Sequence, residues 1–466
     1  MKKSSYPTGW VLKNPNNFFW TLLACYFFLF CTPVTAVPLE YQEETLKNGL
    51  RVILVREPKA PVVISQVWYR VGAVDEPEGH TGLAHMLEHM MFQGTNNHPP
   101  GEFSRLVAQN GGTDNASTSQ DYTNYYIKLS SDRLELALQL ESDRMSHLLL
   151  AQTEFVSENL VVREERRTRT DSDPTQKMLE IFRAKAFGSH PYGRPVIGSM
   201  ADIEHHTLED LKGWYEEYYA PNHAVLVLVG DLEFGKTMAL VKKYFAPLKA
   251  KADDPKAKAM QTIPPPVTPT TQQRVVVTDA NATLPMWFAG FLTPTLAEKK
   301  KAADVYALDL LTTILGGGGS SRLYQQLVVK EGLAISVSAS YGGIGRYPDL
   351  LTLSAIPKPG VELAVLEKRV LEEVMRLTQE RVTQRELDRA RNGLVAEQIY
   401  ARDSVYQTAA LIGNAVVCGV DWREVLEHYP ERISAVTEEE IYRVARLYLD
   451  PERATVGILL PQATKE

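Results

Sequence analysis

Thr207-Leu-Glu-Asp-Leu-Lys-Gly-Trp-Tyr-Glu-Glu-Tyr218, a helical pattern, is followed by the strand-like run Ala224-Val-Leu-Val-Leu-Val229. The same order returns 230 residues further on, as Thr437-Glu-Glu-Glu-Ile-Tyr-Arg-Val-Ala-Arg-Leu-Tyr448 and then Ala454-Thr-Val-Gly-Ile-Leu459. Each helical stretch opens with a threonine and has an acidic residue three positions later, the pattern of a capping box. This repeat predicts two homologous copies of one domain.

The other elements predict an α+β fold. Several strand patterns follow one another without an intervening helix, which favours a largely antiparallel sheet packed with helices in each copy. The strands are predicted at Arg51–Val55, Val62–Val71 and Tyr122–Leu129, and the long helices at Leu134–Leu149, Gln176–Phe187, Val361–Thr378 and Glu386–Tyr400.

A change in composition divides the chain into two halves. Residues 249–271 contain Asp253-Asp254-Pro255 and Pro264-Pro265-Pro266 and few apolar side chains, which is typical of an exposed, fairly stiff linker. We therefore predict a first, metal-binding domain at 37–248, the linker at 249–271, and a homologous domain without metal at 272–466.

The first 36 residues have the pattern of a signal peptide. Lys2 and Lys3 precede an apolar run from Phe18 to Phe30, and Val34-Thr35-Ala36 offers the small residues that signal peptidase reads. The run is shorter than the ~20 residues of a membrane-spanning helix. We expect export across the inner membrane, to the periplasm of a bacterium, and no stable membrane span after cleavage. The alternative is an uncleaved N-terminal anchor.

Charge and cysteine content narrow the functional classes. A net charge of −7, without a long basic stripe, argues against nucleic acid as the partner. Of the three cysteines, Cys25 and Cys31 lie in the predicted signal peptide, so Cys418 alone would remain. One cysteine cannot form an internal disulfide, and the apolar run around Cys418 predicts its burial.

The stretch Gly82-Leu-Ala-His85-Met-Leu-Glu88-His89-Met-Met-Phe92 carries the chemistry. At about 100° per residue along a helix, His85, Glu88 and His89 lie on one face. Two imidazoles at i and i+4 can bind one zinc ion, and a glutamate one turn away can act as base in a His-x-x-Glu-His motif. The alternative, a capped or half-buried histidine pair, is disfavoured because burying these three groups without a shared partner is costly.

A third protein ligand is expected, because catalytic zinc sites normally use three. The helical stretch Glu154–Arg169 offers Glu154, Glu158 and Glu165 along one stripe, whereas Glu164 is turned about 100° away. By themselves these residues favour a solvated acidic face balanced by neighbouring arginines.

The motif and its spacing to Glu165, with 75 residues between, resemble the pitrilysin-type zinc peptidases of family M16. This family includes insulin-degrading enzyme and the mitochondrial processing peptidase. The likeness is close to short bacterial two-domain members and covers nearly all of residues 46–460. Four further strings match: Phe92-Gln-Gly-Thr95, Gly111-Gly-Thr-Asp-Asn115-Ala-Ser-Thr118, Asp121-Tyr-Thr-Asn-Tyr-Tyr126 and Ser320-Ser-Arg-Leu323.

The resemblance implies a duplicated α+β domain with one active site, in the first half. Three residues would bind a single zinc ion: His85, His89 and Glu165. Glu88 would activate a water, and Glu158 would orient the site without binding metal. The doublet Glu164-Glu165 leaves the ligand ambiguous by one residue, and the seven-residue spacing from Glu158 favours Glu165.

The resemblance also implies where a substrate binds. The stretch Asn115 to Ser119 would be an edge strand that pairs with an extended peptide, and its substrate-binding residues would be Asn115, Ala116, Ser117 and Thr118. The alternative is an ordinary edge strand. The implied activity is hydrolysis of peptide bonds in extended peptides or small unfolded proteins.

The chain departs from the family pattern in its second half. Family members often carry there an arginine and a tyrosine, seven residues apart, that grip the substrate; Val328 and Ile335 occupy these positions. One hypothesis is that a partner chain of the same family supplies the pair, as in the family's heterodimers. The other is that Arg322 or Tyr324 substitutes for it.

Two other functional classes remain as alternatives. A non-catalytic binding or assembly subunit could have the same fold, but its zinc motif would normally be degraded, and here it is intact. A small-molecule metallohydrolase is disfavoured because duplicated halves suggest a chamber large enough for peptides.

Overall fold

The computed structural model describes residues 39–252 and 263–462. The predicted signal peptide at 1–36 and much of the predicted linker at 249–271 lie outside the described residues. Within these ranges, the strands and helices predicted from the sequence are all present, with ends that differ by at most three residues. The α+β fold class is confirmed.

In the described part of the chain, six strands form the first sheet, in the order β1-β2-β6-β3-β5-β4. Only β2 and β6 are parallel, and the other neighbours are antiparallel. The strands are β1 Glu40–Thr45, β2 Arg51–Arg56, β3 Val62–Tyr69, β4 Thr113–Thr118, β5 Thr123–Ser130 and β6 Ala224–Gly230.

The second sheet has the order β7-β11-β8-β10-β9, again among the described residues. Its one parallel pair is β7 and β11. The strands are β7 Gln273–Asp279, β8 Met286–Thr293, β9 Ala334–Ser340, β10 Asp349–Pro357 and β11 Thr455–Pro461. Apart from β1, this order repeats that of the first sheet strand by strand, which confirms the duplication.

Helices surround the two sheets. Those of the first half are α1 Leu83–Met90, α2 Glu102–Gln109, α3 Leu134–His147, α4 Gln152–Arg166, α5 Pro174–Phe187, α6 Met200–His205, α7 Leu208–Tyr218 and α8 Phe234–Phe245. Those of the second half are α9 Ala302–Gly316, α10 Leu363–Gln379, α11 Gln384–Ala401, α12 Val405–Val417, α13 Trp422–Leu426, α14 Tyr429–Ala435 and α15 Glu438–Tyr448.

The repeated helix starts in the same way in both halves. Thr207 accepts a hydrogen bond from the Asp210 backbone, and Asp210 accepts one back from the Thr207 backbone, so that α7 begins with a complete capping box. Thr437 and Glu440 form the same reciprocal pair at the start of α15. These bonds satisfy backbone donors of the first turn that have no partner within the helix.

The two halves exchange a helix, which the sequence did not predict. Helix α12, from the second half, packs on β3 and β6 of the first sheet, and α5, from the first half, packs on β7 and β11 of the second sheet. One face of the first sheet is therefore covered by helices of its own half, including α1, and the other face by α12.

No helix within residues 39–252 and 263–462 combines the length and the apolar character needed to span a bilayer.

Candidate metal centre

Helix α1 holds the predicted site residues on its partly exposed face. Met86, Leu87 and Met90 are fully buried and anchor the opposite face in the first core. Gly82, just before the helix, has a φ of 92°, and a Cβ there would lie 2.4 Å from the carbonyl oxygen of Ile197. Only glycine fits this conformation and this close approach.

The first turn of α1 is capped from outside the helix. The buried carboxylate of Glu76 accepts hydrogen bonds from the backbone nitrogens of Gly82 at 2.8 Å and of Ala84 at 2.9 Å. Glycine has no side chain to serve as a cap, so Glu76 replaces it. Sequence reasoning missed Glu76, because it lies in the loop and outside any helix-start pattern.

Three predicted metal ligands come together. Nε2 of His89 lies 3.3 Å, and Nε2 of His85 3.8 Å, from Oε2 of Glu165 on α4. Donor atoms of the three residues lie within 4.8 Å of one another. The other oxygen of Glu165 pairs with Arg169 at 2.5 Å. Two imidazole nitrogens and one carboxylate oxygen are a donor set that zinc takes in catalytic sites.

Glu164, the alternative ligand, points to the surface. Its carboxylate is 64% exposed and pairs with Arg167 at 3.2 Å. Consecutive residues of a helix are turned about 100° from each other, which explains why only Glu165 of this doublet faces the histidines.

Glu158 contacts the far side of the histidine pair. Its Oε2 lies 3.1 Å from Nδ1 of His89, and its Oε1 accepts a hydrogen bond of 2.8 Å from Gln93. A carboxylate on the second ring nitrogen of a metal-binding histidine fixes the ring and directs the other nitrogen to the metal. The role of Gln93 was not predicted, although it lies within the quoted string Phe92-Gln-Gly-Thr95.

The charges of this cluster favour a cation. Burial lowers the pKa of His85, and the neighbouring His89 lowers it further. Burial also acts to lower the pKa of His89, but hydrogen bonds to Glu158 and Glu165 outweigh it, and the pKa rises. The carboxylates of Glu158 and Glu165 therefore supply negative charge at His89 that a metal cation can use.

Glu88 lies beside the cluster and is held by the neighbouring strand. The hydroxyl of Thr118, the last residue of β4, donates a hydrogen bond of 2.5 Å to Oε2 of Glu88. Burial raises the pKa of Glu88, and the Thr118 hydrogen bond opposes this rise. A raised pKa brings this carboxyl group nearer to the range that suits a general base or acid at neutral pH.

The predicted substrate-binding residues lie on an edge strand. Among the residues that the structure describes, strand β4 is the last strand of the first sheet and pairs with β5 on one side only. Its side chains alternate between exposed and partly buried positions. Asn115, Ala116, Ser117 and Thr118 thus lie along an edge whose far end reaches Glu88 through Thr118.

The second half offers no arginine–tyrosine pair at the two aligned positions. Val328 packs partly buried against the core, and Ile335, at the start of β9, is 47% exposed. Arg322 forms two hydrogen bonds with Glu386, at 2.7 and 3.0 Å, and Tyr324 packs against the core. Two nitrogens of the Arg322 guanidinium are therefore paired with Glu386, while its buried Nη1 has no hydrogen-bond partner within the described residues.

Known families and proteins match this chain over most of its length. Residues 51–200 match the family described as Insulinase (Peptidase family M16), and residues 205–394 match Peptidase M16 inactive domain. The zinc protease PqqE of Helicobacter pylori is 35% identical over 427 residues, which cover 91% of this chain and 93% of that protein. An uncharacterized zinc protease of Mycobacterium tuberculosis is 30% identical over 434 residues, or 92% of this chain and 95% of that protein.

Solved structures share the fold. The crystal structure of a protease from Helicobacter pylori has a TM-score of 0.83 and 33% identity, and the match covers 91% of this chain and all (100%) of that chain. Pitrilysin has a TM-score of 0.73 and 20% identity, with 91% of this chain and 45% of that chain covered. At the latter identity the likeness shows the fold alone.

Proposed function

The chain belongs to the insulinase family, peptidase family M16, and on that premise we propose that it is a zinc-dependent endopeptidase. Its substrates would be extended peptides or small unfolded proteins. The observation that carries the proposal is the convergence of His85, His89 and Glu165, with donor atoms within 4.8 Å of one another, beside the carboxylate of Glu88.

In this proposal His85, His89 and Glu165 hold one zinc ion. When bound, zinc supplies a Lewis acid that makes water more acidic and polarises a carbonyl oxygen. Glu158 holds the ring of His89 through Nδ1, and Gln93 holds Glu158 in turn. The histidine is thereby fixed in the orientation that presents Nε2 to the other two donors.

Glu88 is the proposed general base and acid. It takes a proton from the attacking water and later delivers that proton to the amine nitrogen of the leaving product. Thr118 holds one oxygen of this carboxylate through its hydroxyl. That hydrogen bond fixes the position of the carboxylate beside the three proposed zinc ligands.

Strand β4 is the proposed platform for the substrate. A peptide in extended conformation would pair its backbone with the free side of Asn115–Thr118 and extend the sheet by one strand. Backbone pairing recognises chain conformation more than sequence, which suits a peptidase for unfolded segments. The same pairing would direct the peptide toward Glu88, because Thr118 lies at that end of the strand.

A partner subunit of the same family would supply the arginine and the tyrosine that Val328 and Ile335 replace. Support comes from Arg322, the substitute considered from the sequence, because its guanidinium is bound to Glu386. Native mass spectrometry of the protein purified from its own host tests this point. A strictly monomeric protein with full activity would contradict it.

We further propose that the protein is exported to a bacterial periplasm. The supporting observation is the sequence pattern of the first 36 residues, with a positive start, a short apolar run and small residues at Val34-Thr35-Ala36. N-terminal sequencing of the protein from its host tests cleavage after Ala36, and an N-terminus at Met1 would favour the uncleaved anchor.

The decisive experiment compares the wild-type protein, Glu88→Gln and Glu164→Gln. We expect about one zinc per chain in all three. Cleavage of a quenched fluorescent peptide library should fall by about 10²- to 10⁴-fold in Glu88→Gln only, because a general base is lost while the ligands stay. The control removes an exposed carboxylate on the neighbouring helix.

Each other outcome has a distinct meaning. Unchanged cleavage by Glu88→Gln would refute the role of Glu88. Zinc without cleavage by the wild-type chain would point to the missing partner subunit. A wild-type chain without metal would favour the non-catalytic binding or assembly subunit.

A further inference from the structure

Arg346 lies in the loop between β9 and β10, in the second half of the chain, and reaches carboxylates of the first half. We propose that Arg346 is a positioning residue for the reaction. It holds the first turn of α1 and the hairpin of β4 and β5 in the arrangement that Glu88 needs. This inference rests on the proposed function, since the residues that it positions are those of the candidate metal centre.

The side chain of Arg346 forms a bidentate pair with Asp75 through both terminal nitrogens. Nη1 donates to Oδ2 at 2.7 Å and Nη2 donates to Oδ1 at 2.9 Å. The Asp75 side chain is only 2% exposed, and its Oδ2 also accepts from the backbone nitrogen of Gly72 at 3.0 Å. A bidentate pair of this kind fixes orientation as well as distance, which a lysine could not do.

Asp75 is joined directly to the residue that caps α1. Glu76 follows it in the chain and accepts from the backbone nitrogens of Gly82 and Ala84. The carbonyl oxygen of Glu76 accepts a further hydrogen bond of 2.8 Å from Arg194. A shift of Asp75 would therefore move the cap and, with it, the start of the helix that carries the zinc motif.

The backbone of Arg346 makes a second contact, with Asp121. Its nitrogen donates to Oδ2 of Asp121 at 3.1 Å, and the hydroxyl of Tyr192 donates to Oδ1 at 2.6 Å. Asp121 lies in the turn between β4 and β5, three residues after Thr118, whose hydroxyl holds Glu88. One residue of the second half thus contacts both segments that determine where Glu88 lies.

The same two segments are also bonded to each other. The backbone nitrogens of Ala73 and Val74 donate to the carbonyl oxygens of Ser119 and Gln120, at 3.1 and 2.9 Å. The loop before α1 and the β4–β5 turn therefore form one unit, and Arg346 contacts both parts of it. The Arg346–Asp75 pair and the carboxylate of Asp121 connect this unit to the second half of the chain.

Loss of the guanidinium would leave the Asp75 carboxylate, whose side chain is 2% exposed, without its counter-charge and near the buried Asp121. An uncompensated buried carboxylate is costly, so the loop and the turn would shift or admit water. A displacement of about 1 Å can lower an enzymatic rate about 100-fold. The expected effect is on turnover, because Arg346 contacts neither the three metal donors nor the edge of β4.

The test compares wild-type protein with Arg346→Gln and Arg346→Lys, each loaded with zinc. We expect kcat to fall about tenfold or more in Arg346→Gln, with KM changed less than about threefold and zinc content unchanged. Hydrogen exchange of peptides that span residues 72–90 and 113–123 should become faster. Arg346→Lys keeps the positive charge, so its kcat and its exchange rates should lie between those of the wild-type protein and of Arg346→Gln.

Arg423→Gln is the matched control. Arg423 also joins the second half to the first, because it donates hydrogen bonds to Glu43 at 3.3 Å and to the Tyr41 hydroxyl at 3.0 Å. Its side chain is 26% exposed, similar to the 20% of Arg346. Arg423 contacts neither the loop before α1 nor the turn between β4 and β5. We expect a lower melting temperature in this variant, with unchanged kcat and unchanged exchange at 72–90 and 113–123.

A merely structural role of Arg346 predicts a different result. If Arg346→Gln lowers the melting temperature as Arg423→Gln does, but leaves kcat and the exchange of both segments unchanged, the positioning role is overturned. If the wild-type protein neither binds zinc nor cleaves any peptide, the proposed function fails. The hydrogen exchange of the two segments in wild-type protein and Arg346→Gln would then still decide whether Arg346 positions α1.

Discussion

Of the two histidines of the motif, His89 is the one that Glu158 orients. Both ring nitrogens of His89 are engaged, Nε2 toward Glu165 at 3.3 Å and Nδ1 toward Glu158 at 3.1 Å. Gln93 holds the other oxygen of Glu158. Because a carboxylate on Nδ1 fixes both the tautomer and the ring orientation, Glu158 controls how His89 presents Nε2 without contacting a metal itself.

At this scale we predict that Glu158→Ala lowers the affinity for zinc about 10- to 100-fold, because His89 loses the group that orients it. Competition with a chelator of known affinity measures the change. Glu164→Ala, six residues further along the chain, removes an exposed carboxylate and should leave the affinity unchanged. Equal affinities in the two variants would contradict the role of Glu158.

The exchanged helices are matched to their sheets by residue size. A Cβ on Gly413 of α12 would lie 2.1 Å from the Trp68 ring, so glycine leaves the room that this ring occupies on the first sheet. On the second sheet the sizes are reversed, since Gly290 leaves room for Phe182 of α5, which a Cβ would meet at 2.8 Å. Each helix therefore packs closely on its present sheet because glycine on one side leaves room for an aromatic ring on the other.

Gly413→Ala tests this fit at the scale of the element. We expect it to reduce the free energy of unfolding by about 1–3 kcal/mol, because the new methyl group overpacks the contact with Trp68. Gly393→Ala in α11 is the control, because no atom lies within 4 Å of its Cβ position. There alanine should stabilise the helix by up to about 1 kcal/mol. Urea denaturation measures the free energy of unfolding of both variants. Changes of the same sign would contradict the close fit of Gly413 against Trp68.

The exchange makes the two halves depend on each other. The face of the first sheet that carries Ile64, Trp68 and Val227 lies in one core with Ala409 and Ile412 of α12. The second sheet in turn needs Met178 and Phe182 of α5 to cover Leu350 and Leu459. A half without its partner would expose an apolar sheet face and an apolar helix, which favours aggregation.

For the whole molecule we predict that residues 37–248 do not form a stable monomer alone. Produced together with residues 272–466, they should yield a soluble complex that binds zinc, because α12 and α5 can then reach their sheets. Size-exclusion chromatography, thermal melts and metal analysis of the separate and joint products measure this. A monomeric 37–248 fragment with a cooperative melt would show that the exchange is dispensable.

Local patterns account for what could be predicted from the sequence. The capping boxes at Thr207 and Thr437, the alternation along Val62–Tyr69 and the spacing of His85, Glu88 and His89 depend on neighbours within a few residues. Such patterns follow directly from the periods of a helix and a strand. Glu165 is different, since its proximity to the histidines was implied only by the likeness to known zinc peptidases.

By itself, the sequence determined the α+β class, the duplication and the helix face on which His85, Glu88 and His89 lie. Only the tertiary structure decided that α5 packs on the second sheet and α12 on the first. The same holds for the hydrogen bond from Thr118 to Glu88 and for the pairing of Arg346 with Asp75, 271 residues apart in the chain. The physical reason is that such contacts join residues far apart in the sequence, where no local period or spacing records them. Their geometry exists only once both sheets have formed and packed together.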